Sequence, residues 1–344
     1  MRMVDGKVTD RPSGGLAARG LRWLKPAFLL LALLFVGLLL ASQWGELSRQ
    51  PWRLDGWWMA AALLLLLISW GVEIGIWRYL LAMLDGPLTG RLGYWAGVRV
   101  WFLSAIVRYI PGNIWQPLGM TVLCQGRGIR AEATLISVVL FQVVTLLGVL
   151  PLAGIYLLLS GNLGMLTASL GQIAPWLAGL GLGVVLLFVL RPGWLFGLLN
   201  WLLIKVGRAP MTVTLSSPRL LGLILAGTGS WLLWGLTFAA VTFAVVAIPL
   251  DQMGGDLLHL VAAYPMSYAI GYLSFLTPSG LGVREGAIFF WLAPVMGGGV
   301  ATIAALAMRL IMTGAELVLA GVSAVGEKTK AKGKVQKAKG KNAW

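Results

Sequence analysis

The sequence predicts an all-α polytopic membrane protein with about six full spans and two re-entrant helical hairpins, arranged as an inverted repeat. Three observations predict it. Of 344 residues, 58% are hydrophobic and only 11% charged, against about 25% charged in soluble domains. Runs such as Pro26–Gln43, Gly56–Val72 and Leu220–Leu250 have the length that crosses roughly 30 Å of hydrocarbon. Two further apolar stretches are interrupted at corresponding places, one at Pro111-Gly112 and one between Thr277 and Gly282.

Charge sets the orientation. The net +15 is concentrated at the ends, with Arg2, Lys7, Arg11, Arg19, Arg22 and Lys25 before the first apolar run and seven lysines between Lys328 and Lys341 after the last. Positive flanks stay in the cytoplasm, so both termini are expected inside a bacterial inner membrane, with an even number of crossings. The chain divides into a basic N-terminus (1–25), a membrane domain (26–325) and a lysine-rich tail (326–344). Such a tail suits anionic inner-leaflet lipids. With Trp344 as its only aromatic, it lacks a stacking platform for nucleic acid. The single Cys124 excludes an intrachain disulfide and a multi-cysteine metal site, and no cofactor is expected.

In chain order, Phe28–Ser42 is the core of an uncleaved first span, because its apolar run exceeds a signal core and no small-residue cleavage site follows. Span two runs from about Trp57 to Leu84 with Glu73 inside it, and Arg78 and Arg91 mark its far end as cytoplasmic. Leu92–Ile110 and the short Ile114–Cys124 lie between arginines expected on one side, so they form a hairpin from the cytoplasm. Ala131–Leu159 is span three, and the uncharged Ser160–Ala174 an outer loop. Trp176–Leu190 is span four, and Trp194–Val206 an interfacial helix. Leu220–Ile248 is span five, followed by an outer acidic loop, Asp251–Asp256. Leu257–Leu276 and Gly286–Val295 form the second hairpin, from outside, and Ala301–Val325 is span six. Residues about 54–160 and 219–325 would then be the repeat halves. Opposed matching halves place a binding site where their broken helices meet.

The breaks carry the candidate site. The first reads Arg108-Tyr109-Ile110-Pro111-Gly112-Asn113-Ile114-Trp115-Gln116. Proline ends one helix, glycine turns, and Asn113 can cap the next half-helix, whose free N–H groups attract anions. The second reads Thr277-Pro278-Ser279-Gly280-Leu281-Gly282-Val283-Arg284-Glu285, with Ser279 as a possible cap and Arg284 as a fixed charge. Simple turn chemistry would explain one such break; two, each with an arginine and a half-length helix, point to a cavity. Charges inside a bilayer face partners or water. Arg99, Arg108, Arg284 and Arg309 outnumber Glu73, Glu285 and Glu316, which leaves room for an anion such as a lipid phosphate. Arg309 and Glu316 share one face of span six. Arg99 reads as snorkelling, Glu285 as a helix-start charge or a partner of Arg284, His259 as bland, and the 17 tryptophans mostly as interface anchors.

The segments Arg108–Trp115 and Pro278–Glu285 resemble the two recurring motifs of the lysylphosphatidylglycerol synthase transmembrane (flippase-type) family, over most of the chain. Many relatives have Gly-Gly where Ser279-Gly280 stands. The resemblance implies a lipid translocase or lipid-handling domain rather than a lysyl transferase, since only the lysine tail follows span six. Its cargo would be an anionic lipid or a polyprenyl-linked amphiphile. No Gly-x-x-x-x-Gly-Lys-Ser/Thr run is present, so a gradient or downhill flow would supply the energy. The alternatives are an intramembrane lipid-modifying enzyme, or an anchor subunit for a separately encoded synthase or transferase.

Overall fold

The computed structural model describes residues 45, 54–106, 115–159, 174–205, 207, 210, 215–274, 280 and 282–341. The expected first span and the loop of the first break lie outside them. The described residues form ten helices: α1 (Gly56–Asp85), α2 (Tyr94–Ala105), α3 (Trp115–Gln125), α4 (Ala131–Leu159), α5 (Ala174–Leu190), α6 (Pro192–Lys205), α7 (Ser217–Val245), α8 (Leu250–Leu273), α9 (Val283–Met296) and α10 (Gly298–Lys341). Four of them, α1, α4, α7 and α10, contain spans long and apolar enough to cross a membrane. The bent pair α5–α6 makes five if it counts as one crossing.

Local chemistry explains where helices begin and bend. Asp55 caps α1 by accepting from the N–H groups of Trp57 and Trp58 at 3.0 and 3.2 Å, which satisfies two donors that the first turn cannot. Pro192, the first residue of α6, fits a helix start but not an interior. There the chain bends by 97°. Trp194, Leu198, Trp201 and Ile204 are exposed along α6 while Leu195 and Phe196 are buried, so apolar side chains occupy both its outward and its inward faces.

One expectation is corrected. Asp251 and Asp256 do not form a loop but sit within the first turns of α8, where acids complement the helix dipole. The apolar span within α10, Gly298–Ala324, agrees with the expected span six, and the helix runs on to Lys341, because alanine and lysine favour helix.

Helix α7 is central and packs on α1, α4, α8 and α10. Association between helices in lipid depends on close backbone approach through small residues, and two glycines supply it. A Cβ on Gly235 would lie 2.1 Å from Val261 O on α8, and one on Gly148 of α4 would lie 2.8 Å from the backbone at Gly227 on α7. Thr228 crosses the second contact, donating to Gly148 O at 2.9 Å. Helix α2 rests on α10 and α8 on α4, and α2 also meets α3, as α8 meets α9.

At one end of α1, Asp85 receives Arg91 at 2.6 Å and Arg130 at 2.8 Å, with its own side chain only 2% exposed. One carboxylate thus joins α1, the turn before α2 and the start of α4.

Candidate functional site

Helices α1–α4 and α7–α10, with Gly280, surround a cavity of about 120 Å³. Periodicity decides which side chains reach it. From α1 come Glu73 and Trp77, four residues apart; from α4, Val138, Phe141, Gln142 and Thr145; from α7, Trp231 and Trp234. Helix α8 contributes Tyr264, Tyr268 and Tyr272, a stripe at four-residue spacing along one face. Trp101 of α2, Gln116, Pro117 and Met120 of α3, Gly280, Arg284 of α9, and Arg309, Met312 and Thr313 of α10 complete the wall.

The second break is built around glycines. Gly280 and Gly282 have φ of +68° and +84°, a region that other residues enter at a cost. A Cβ on Gly280 would also lie 3.2 Å from the backbone of Gly271 on α8, so the turn lies directly against that helix. Gly282 precedes α9, and its N–H donates to Glu285 Oε2 at 2.6 Å. This is the reciprocal half of a capping box; glycine has no side chain to supply the other half. Glu285 Oε1 accepts from Arg309 Nη1 at 2.5 Å. Glu285, 1% exposed, therefore pairs with Arg309 rather than with its neighbour Arg284.

Arg284 is held differently. Its guanidinium carbon lies 4.3 Å from the ring centroid of Tyr268 and 5.8 Å from that of Tyr264. Nη1 donates to Tyr264 Oη at 3.4 Å, and Nε is buried without a hydrogen-bond partner. Among the described residues no carboxylate lies within ion-pairing distance of it. Aromatic faces stabilise a cation without neutralising it. At 9% exposure, this arginine is a buried positive charge whose counter-charge can come from a ligand.

Three of the four indoles around the cavity direct their N–H into the protein. Trp77 donates to Ser137 Oγ at 3.1 Å, Trp231 to Thr145 O at 2.6 Å and Trp234 to Glu73 Oε1 at 2.9 Å. The fourth, Trp101, is 5% exposed and its Nε1 has no partner.

Of the residues expected at the site, Glu73, Gln116, Gly280, Arg284 and Arg309 line one cavity, and Gly282 and Glu285 support it from behind. Trp115 and Glu316 do not line it, although Glu316 is buried at 2% exposure. Arg108, Tyr109, Pro111, Gly112, Asn113, Pro278 and Ser279 lie outside the described residues. Of the tryptophans expected mostly as interface anchors, Trp57, Trp95, Trp176, Trp194 and Trp201 are exposed, whereas Trp77, Trp101, Trp231 and Trp234 line the cavity, since an indole suits a polar-edged cavity as well as an interface. His259 accepts from or donates to Tyr156 Oη at 3.0 Å and does not line the cavity.

Compared with known families, residues 23–320 match the one described as "Lysylphosphatidylglycerol synthase TM region". No curated protein matches the chain, and no solved structure does.

Proposed function

Because the chain belongs to the lysylphosphatidylglycerol synthase transmembrane-region family, and is a multi-pass membrane protein related to lipid handling, we propose that it translocates an anionic lipid between leaflets. In this reading it is a transporter rather than an enzyme. The carrying observation is Arg284, a buried cation with no carboxylate partner among the described residues, facing a cavity between helices. A lipid phosphate entering there would receive a charge-assisted hydrogen bond from Nε, and bidentate ones if Nη1 releases Tyr264. The acyl or prenyl tails would stay in the surrounding lipid. Arg309, already paired with Glu285, would shape the field rather than bind.

The crosswise packing of α2 on α10 and of α8 on α4 supports an inverted repeat of about 54–160 and 219–325. Exchanging the two halves exchanges these two contacts, as a two-fold relation between opposed hairpins requires. The charge distribution supports cytoplasmic termini in a bacterial inner membrane, with the lysine-rich end held by anionic inner-leaflet lipids.

Exchange of fluorescent anionic lipid across reconstituted vesicles tests the proposal. Arg284→Gln is expected to slow exchange roughly tenfold or more, the loss for a hydrogen bond to a charged group. Unchanged exchange would sink the anion site. Cysteines introduced at Gly112 and Ser279 test the opposed hairpins, which require labelling from opposite sides.

A further inference from the structure

Three residues that line the cavity carry hydrogen-bonding groups left open among the described residues, and together they describe a headgroup. Arg284 Nε is one, and Trp101 Nε1 is the second. The third is the side-chain amide of Gln142, half-buried and without a partner among the described residues. Buried donors are almost always satisfied, and leaving one open costs about 1–3 kcal/mol. Trp101 is the exception among four cavity indoles, and its donor is fixed in place. Its ring packs edge-on against Phe141 at 5.4 Å and tilted against Trp77 at 6.0 Å. Phe141, against which the indole packs, and Gln142 both line the cavity from α4. Arg284 and its two tyrosines are contributed by α9 and α8 instead.

Resting on the translocase reading, we infer that the cargo carries a neutral, hydroxyl-rich group on its phosphate, a sugar being the fitting chemistry. The phosphate meets Arg284. Hydroxyl oxygens accept from Trp101 Nε1 and both accept from and donate to the Gln142 amide. The sugar ring's C–H face lies against the aromatic wall. A cationic aminoacyl headgroup fits less well. Glu285 is already paired with Arg309, so among the described lining residues its ammonium would find only the Glu73 carboxylate, which also receives the Trp234 indole. It would also share the cavity with the uncompensated Arg284.

The test uses the full chain in vesicles with fluorescent prenyl phosphate and phosphatidic acid, each with and without glucose on its phosphate, and with lysylphosphatidylglycerol. In the wild-type protein each glucosylated probe should exchange faster than its bare parent. Which of the two is faster assigns the cargo to a prenyl or a diacyl tail. That preference ratio should fall roughly fivefold to tenfold in Trp101→Phe, which keeps the ring packing, and independently in Gln142→Leu. A ratio near one in the wild type, a ratio intact in both variants, or fastest exchange of the lysyl probe would overturn the sugar assignment while leaving the anion site standing. Exchange of no probe, or indifference of every probe to Arg284→Gln, would instead remove the translocase reading, and this inference with it.

Discussion

Arg309 donates to Glu285 across the gap between α10 and the first turn of α9, at 2.5 Å, while the other oxygen of Glu285 holds the Gly282 N–H. A single carboxylate therefore fixes the turn of the second break, the start of α9 and the middle of the apolar span within α10. The two side chains are 2% and 19% exposed, so the pair is shielded from water and removing one member leaves a buried charge.

Glu285→Gln should destabilise the protein by about 3–5 kcal/mol, as breaking a buried pair does. Thermal unfolding in detergent should show a clearly lowered midpoint. Adding Arg309→Met to it should recover part of the loss, because no charge is then stranded. A double variant as unstable as the single one would show that the turn needs the carboxylate alone.

Helix spacing gives a sharper contrast. Gly235→Ala would place a methyl 2.1 Å from Val261 O, whereas the Cβ of Gly229 or Gly222 meets nothing within 4 Å. All three glycines lie on α7. Alanine at Gly235 should abolish monodisperse folded protein in size-exclusion chromatography. Alanine at Gly229 or Gly222 should leave the profile unchanged or raise stability by up to about 1 kcal/mol through helix propensity.

The bond from Trp234 Nε1 to Glu73 joins α7 to α1 beside the cavity. Trp234→Phe and Glu73→Gln should each lower stability, and the double variant should lose less than their sum. A coupling of about 0.5–3 kcal/mol is the range for directly bonded residues. Strict additivity in thermal or denaturant unfolding would show that the contact is energetically idle.

Asp85 gathers Arg91 and Arg130. Asp85→Asn removes the charge that both arginines meet while nearly preserving volume. The partners are 33% and 69% exposed, so solvent screening limits the loss to about 1–2 kcal/mol, and added salt should shrink the difference from wild type. A gap that is equally large in high salt would assign the effect to the backbone N–H of Arg130, which Asp85 also accepts.

The spans were legible because a bilayer demands long apolar helices, and Gly56–Asp85, Ala131–Leu159 and Ser217–Val245 fall within a few residues of the run lengths. The Pro278–Gly282 break was legible from the residues that stop and turn a helix. The partner of Glu285 was not. Arg309 is 24 residues away, and only the packing of α9 on α10 selects it over the adjacent Arg284. Trp101 was hidden for a different reason, since an indole in a membrane protein sits at an interface or inside with equal chemical sense. The tyrosine stripe Tyr264, Tyr268, Tyr272 was written in the sequence at helical spacing. It passes for core until Arg284 is seen lying on two of its rings.

The crosswise lean of α2 on α10 and of α8 on α4 has a consequence for how the chain can be divided. Neither residues 54–159 nor residues 215–341 own a finished wall: each supplies the prop for the other's hairpin. A gene cut between Lys205 and Ser217 should thus yield two fragments that are unstable apart and that reconstitute one working protein when made together.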